Sequence, residues 1–244
     1  MFPIGDQNEQ GRGLAYVTLA FIAINVAVFV LFQLGNEAFT YAFSAVPFEI
    51  TTGEDLVRPQ PVDVGGERLL IPQEPGPEPI YLTLLTSMFM HGGIAHIGGN
   101  MLFLFIFGDN VEHRMGPILF AGFYLLAGLV ASLAQILVDP NSVVPTLGAS
   151  GAISGVLGAY LVMFPGNRVT VFLFRFLTAV PAIVAIGMWA VFQFLNGYGQ
   201  LFASQETTGG VAYMAHIGGF VAGVVVGLLF RGAGSGRARP QPAF

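Results

Sequence analysis

Cysteine is absent from this 244-residue chain, and so is lysine. Without cysteine there is no disulfide framework and no thiol chemistry, and the redox compartment is left open. All nine basic residues are arginine. Charge of either sign is scarce: 9% of the residues are charged, where a soluble domain carries about 25%. No H-E-x-x-H occurs, which removes the helical zinc site of a metalloprotease. What fills the chain instead is apolar, 54% of all residues, with a mean hydropathy of +0.72. That composition describes several membrane spans and little else.

A helix needs roughly 20 apolar residues to cross a bilayer. Six stretches qualify, at residues 14–34, 93–108, 117–138, 143–164, 169–195 and 211–230. The second is short, but the apolar residues 80–90 before it can lie at the interface. The first is longer than the apolar region of a signal peptide and has no arginine cluster before it, so it reads as a span. The expectation is an all-α membrane protein, a six-helix bundle over residues 14–230. A short terminus, 1–13, precedes it and a disordered Gly-, Arg- and Pro-rich tail, 231–244, follows.

Arginine placement orients the bundle. Six spans put both termini on one side, with Arg12, Arg114, Arg168, Arg231, Arg237 and Arg239 there and Arg175 close by. The other side keeps Arg58 and Arg68 and a long loop, 35–79, with eight carboxylates from Glu37 to Glu78. Both termini are therefore expected in the cytoplasm. Seven prolines from Pro47 to Pro79 argue against one long helix in the loop.

Polar side chains inside spans are expensive and mark function by default. Four stand out: His96, Asn100, Ser150 and His216. The second, fourth and sixth spans run the same way, which puts Ser150 about seven residues and His216 about five into their helices, roughly 8–11 Å deep. His96 and Asn100 are spaced i,i+4 and share a face. Gly151 and Gly155 in the fourth span, with Gly148 and Gly158 flanking, and Gly219, Gly223 and Gly227 in the sixth, let those helices approach closely. Serine becomes a nucleophile when a nearby imidazole takes its proton. A side-chain amide, an imidazole N–H and backbone N–H groups can then hold the developing oxyanion.

These motifs, HGGIAHIGGN (91–100), GDNVEHRMG (108–116), GASG (148–151) and AHIGG (215–219), resemble those of the rhomboid intramembrane serine proteases, in order and over most of the six-span region. The resemblance implies Ser150 as nucleophile and His216 as general base, with His96, Asn100 and the Ser150 backbone N–H as the oxyanion hole. It sets His91 and Gly148 at the edge of the site. It makes Gly108, Glu112 and Gly116 a structural motif, with Gly151, Gly219 and Gly223 as packing glycines. It further implies cleavage of transmembrane segments of other proteins near the outer face of a bacterial inner membrane, with no metal or cofactor and no nucleic-acid partner. Two features depart from the family pattern. The first loop has no Trp-Arg pair, since the one tryptophan is Trp189. Ser154 stands where many members carry an aromatic residue beside the catalytic histidine.

Other readings of the same residues stay open. His96 and His216 can be axial haem ligands, although that leaves Ser150 and Asn100 unexplained. A solute transporter fits the composition but lacks intramembrane charges. A non-catalytic relative that binds transmembrane clients is the nearest rival. His113, beside Arg114, reads as solvated.

Overall fold

The computed structural model of the chain describes residues 2–7, 13–64, 66–173, 175–200 and 211–231. Arg12, Arg237, Arg239 and the expected disordered tail beyond Arg231 lie outside the described residues. Strand β1 (Phe2–Asp6) precedes α1 (Tyr16–Val28), which runs into a π turn, Phe29–Gln33. The long loop holds α2 (Glu37–Ala42), α3 (Pro47–Thr52) and a hairpin of β2 (Gln60–Val64) and β3 (Glu67–Ile71), so it is not one helix. Helical turns over Ile80–Phe89, with α4 (Thr83–Thr86) at their centre, lead to α5 (Ile94–Met115) and α6 (Pro117–Val138). Then come α7 (Ser150–Met163), β4 (Arg168–Leu173), β5 (Phe176–Pro181), α8 (Ala182–Gln200) and α9 (Tyr213–Arg231).

Among the described residues four helices are long and apolar enough to cross a bilayer: Tyr16–Gln33, α5, α6 and α9. The chain is a multi-pass integral membrane protein, mostly helical. Three expected spans differ in detail. The second, 93–108, continues seven residues further to Met115. The fourth, 143–164, becomes helical only at Ser150. Pro145 and Gly148, at φ +124°, keep residues 143–149 out of the helix, because neither suits a helix interior. Helix α7 is thus about 21 Å long at 1.5 Å per residue. The expected depth of Ser150 is corrected by the same fact: it stands at the first residue of its helix, not seven residues in.

The fifth expected span, 169–195, is two elements. Strands β4 and β5 pair antiparallel, with Val169 opposite Val180 and Val171 opposite Thr178, and α8 begins only at Ala182. The run R-V-T-V-F-L alternates, with Val169 and Val171 buried and Arg168 and Phe172 exposed. Hydropathy summed over a window cannot tell that alternation from a helix. Strand β1 adds to the same sheet, in the order β1-β4-β5.

Helix α7 is the buried centre. Its glycines meet the backbone of α9: a Cβ on Gly219 would collide with the Gly151 carbonyl, one on Gly223 with the Gly155 carbonyl, and one on Gly158 with the Phe220 carbonyl. On the other side, a Cβ on Gly155 would lie 2.6 Å from Ala127 of α6. The G-x-x-x-E-x-x-x-G run joins α5 to α1. Ala15, at the start of α1, supplies no side-chain cap. The buried Glu112 carboxylate does so instead, accepting from Val17 N (3.0 Å), Thr18 N (2.7 Å) and Thr18 Oγ1 (2.7 Å). A negative charge suits a helix N-terminus. Gly108 leaves room for Thr18, whose Cγ2 would lie 2.9 Å from a Cβ there. Gly116, at φ +85°, ends α5 and turns the chain into α6. His113 is more than a solvated side chain, since its Nε2 lies 2.9 Å from the Gly13 carbonyl. Arg114 covers the Phe164 ring at 4.8 Å.

Strand β1 is latched by Asp6, which accepts from the Tyr160 hydroxyl (2.5 Å) and Asn110 Nδ2 (2.8 Å). Burial pushes the Asp6 carboxyl up to about 6, against an ordinary 3.8, with the two hydrogen bonds opposing. The folded chain therefore holds this proton more tightly than the unfolded one. The contribution is full below the unfolded value of 3.8 and is lost as pH rises through about 6. Thermal unfolding in detergent checks this: the melting temperature falls across that window in the wild type and flattens in Asp6→Asn.

Candidate active site

A cavity of about 600 Å³ opens between α5, α7, α8 and α9. The wall on one side is the extended segment Val144–Pro145–Thr146–Leu147, and on the others His96, Asn100, Trp189 and His216, with Ser150 among them. The extended segment is clamped from outside. Ala45 and Thr146 exchange backbone hydrogen bonds (3.0 and 2.8 Å), Phe48 N donates to Ser142 O (3.0 Å), and Gln73 Nε2 donates to Val143 O (2.6 Å). Gly148 N donates to Ser87 O at 2.9 Å. Non-helical backbone at membrane depth is tolerated where protein satisfies it in this way.

Ser150 opens α7, and its hydroxyl lies 2.8 Å from His216 Nε2. Two helices meet here because the glycine contact lower down brings α7 and α9 together. The first backbone N–H groups of α7 have no intrahelical acceptor, and Ala149 contributes no capping side chain. Ser150 thus brings the N-terminal end of α7 to the cavity wall. Asn100 is buried, lines the cavity, and its Nδ2 has no hydrogen-bond partner among the described residues. His96 lies over Gly148: a Cβ at Gly148 would be 2.9 Å from His96 Nε2. Gly92 N donates to His96 Nδ1 at 3.3 Å, which leaves Nε2 as the N–H side of a neutral ring. One serine, two imidazoles and one carboxamide thus line a single cavity.

His91 is not among the residues lining that cavity. It is 2% exposed and sits behind His96, ring centroids 5.2 Å apart and edge-on. Its backbone is held by the Gln33 carboxamide, which accepts from His91 N (3.1 Å) and donates to His91 O (3.1 Å). Gly148 lies under His96, while Gly151, Gly219 and Gly223 lie along the α7–α9 contact. Gly108, Glu112 and Gly116 stand at the opposite end of α5. Ser154 turns back to its own helix, donating to the Ser150 carbonyl at 2.6 Å.

Several residues at the site escaped the sequence reading. Gln193 of α8 places Oε1 2.8 Å from His216 Nδ1. Trp189, one turn earlier, lies beside the imidazole (6.2 Å between centroids) and against Phe220 (5.8 Å). It gives the imidazole an aromatic neighbour from α8. Gln135 of α6, fully buried, accepts from Ala215 N at 3.2 Å and so fixes the start of α9. The signal was available: glutamine inside an apolar span carries the same implication as histidine. Among the described residues no group of three or more His, Asp or Glu side chains is placed to hold a metal ion.

Residues 79–233 match the family model of the Rhomboid domain. The chain is 33% identical over 83% of its length to Rhomboid protease GluP of Bacillus subtilis, covering 38% of that protein. It is 31% identical over 60% of its length to Rhomboid protein 1, mitochondrial, of Saccharomyces cerevisiae, covering 41% of that one. RHOMBOID-like protein 4 of Arabidopsis thaliana is 27% identical over 91% of the chain and 56% of the relative. The chain thus spans about two-fifths of the length of the first two relatives.

The cradle under His96 makes a prediction. Gly148→Ala forces a Cβ into positive φ and against the imidazole, so it is expected to cost about 1–3 kcal/mol. Gly98→Ala, with nothing within 4 Å of the added Cβ, is the neutral control. Thermal unfolding of the two variants checks the difference.

Proposed function

Because this chain belongs to the rhomboid family, we propose that it is an intramembrane serine endopeptidase that cleaves transmembrane segments of other membrane proteins. The observation that carries the reading is the 2.8 Å contact between Ser150 Oγ and His216 Nε2 at the wall of a cavity inside apolar helices. That distance is within reach for a base taking a proton from its nucleophile.

In the proposed reaction Ser150 Oγ attacks the scissile carbonyl carbon as its proton passes to His216 Nε2. The carbonyl oxygen becomes an oxyanion beside the Ser150 backbone N–H, Asn100 Nδ2 and His96. Collapse of the tetrahedral intermediate breaks the C–N bond, and His216 returns the proton to the leaving nitrogen. Water then attacks the acyl-enzyme, giving its proton to His216, and Ser150 leaves protonated. His91 and Gly148 serve as the edge and floor that hold His96. Gly108, Glu112 and Gly116 brace the far end of α5.

We assign residues 14–230 to a six-span catalytic domain, counting the shorter α7 and α8 as spans. Arg114, Arg168 and Arg231 gather at the end away from the cavity, which supports both termini in the cytoplasm and a cavity in the outer half of the bilayer. A bacterial inner membrane suits that orientation. The loop at 35–79 then lies outside. Its hydrogen bonds to residues 140–146 support a role in holding the extended wall beside Ser150.

Cleavage of a single-span substrate in liposomes tests the reading. Loss of cutting in both Ser150→Ala and His216→Ala, with unchanged melting temperature, is the expected result. Persistence of cutting in Ser150→Ala overturns the nucleophile, whereas binding of the substrate without cutting by the wild type favours a relative that holds clients and does not cleave them. Asn100→Ala is expected to lower kcat by about 10²–10³ with little change in KM; a change in KM alone removes the oxyanion role.

A further inference from the structure

We infer that Gln193 is a positioning residue for His216, so that the working constellation is Ser150–His216–Gln193, drawn from α7, α9 and α8. This rests on the proposed protease reading. The chemistry of the ring fixes what its second nitrogen requires. To take the Ser150 proton, His216 Nε2 is unprotonated, which puts the hydrogen of the neutral ring on Nδ1. A group facing Nδ1 must then accept a hydrogen bond. The Gln193 carboxamide oxygen stands there at 2.8 Å, as close as Ser150 Oγ is to Nε2. Both ring nitrogens are thereby engaged, and the imidazole is held in the orientation and tautomer that a base needs.

Gln193 is itself well placed for such a task. Its side chain is 7% exposed, and it continues the buried stripe of α8 formed by Ala182, Ala185, Ile186 and Ala190. The opposite face of α8 is apolar and exposed, with Val184, Val191 and Leu195 on it. A glutamine on the inner face of an otherwise greasy helix is costly unless it is hydrogen-bonded, and its acceptor is engaged by His216. Trp189, one turn before it on the same face, lies beside the same ring. One helix thus supplies both the hydrogen bond at Nδ1 and the wall beside the imidazole.

The role differs from that of a buried aspartate in a Ser-His-Asp triad. A carboxamide carries a dipole and no charge. It orients the ring, favours the Nδ1–H tautomer, and stabilises the imidazolium through one lone pair. It exchanges no proton with His216. The other groups facing the imidazole are Ser150 from α7 and His96 across the cavity from α5, so no carboxylate among the described residues takes that place.

Two variants of the full chain in liposomes separate this role from packing. Gln193→Met keeps the length and removes the acceptor, and Gln193→Glu keeps an oxygen at the same reach. Expected for Gln193→Met is a fall in kcat of about tenfold or more, with KM within about twofold, and an equal fall in the rate of fluorophosphonate labelling of Ser150. Gln193→Glu is expected to stay much nearer the wild type in both measurements. Wild-type kcat and labelling rate in Gln193→Met overturn the proposal, as does an equal loss in Met and Glu variants accompanied by a lowered melting temperature. Ser150→Ala, run alongside, reports on the parent reading. If it is labelled and cuts like the wild type, the nucleophile assignment fails, whatever Gln193 does.

Discussion

Helices α7 and α9 touch backbone to backbone, and nearly everything else about the site depends on that contact. A Cβ on Gly219 or Gly223 of α9 would strike the carbonyls of Gly151 and Gly155, and one on Gly158 of α7 would strike that of Phe220. In lipid there is no hydrophobic drive to bring helices together, so close van der Waals contact has to supply the association. The contact also sets a distance. A serine side chain is short, and an imidazole on a helix at ordinary separation would not reach it. With the backbones this close, His216 meets Ser150 at 2.8 Å.

The second constraint is the non-helical wall at residues 143–149. A helix through this region would bury its carbonyls in its own ladder and leave a substrate nothing to approach. The break at Pro145 and Gly148 instead starts α7 at Ser150, at the wall of the cavity. The cost is a stretch of backbone that must find partners, and the first loop supplies them through Ala45, Phe48 and Gln73. At the other end of the bundle Glu112 does comparable work for α1. It caps that helix from a neighbour because Ala15 cannot. Loop and cap both satisfy backbone groups that a membrane would leave unpaired.

Much of this was legible in the sequence for a physical reason. Long apolar runs translate into helices in lipid with few alternatives, so α1, α5, α6 and α9 could be read to within a few residues, except where α5 continues through the polar residues 109–115. The glycine spacing gave the α7–α9 approach. What hydropathy could not convey was strand periodicity within an apolar run, and the β4–β5 hairpin was missed on that account. Nor could it mark the start of α7, since Val143 and Val144 are as apolar as any helical residue and only Pro145 and Gly148 signal the break. Gln193 and Gln135 were missed differently. Imidazole and hydroxyl declare their chemistry as residue types, whereas a carboxamide acts through what it orients. The place of Trp189 beside His216 follows from tertiary packing alone.

That placement gives the molecule an optical property. Trp189 is the single tryptophan among 244 residues, and it lines the cavity with its ring 6.2 Å from that of His216. Indole emission shifts with local polarity and is quenched by a charged imidazole nearby. The tryptophan fluorescence of the unlabelled chain therefore originates wholly at the cavity wall, where wetting, occupancy and the state of His216 each alter it. A protein without cysteine to label carries its own reporter at the place where one would have been attached.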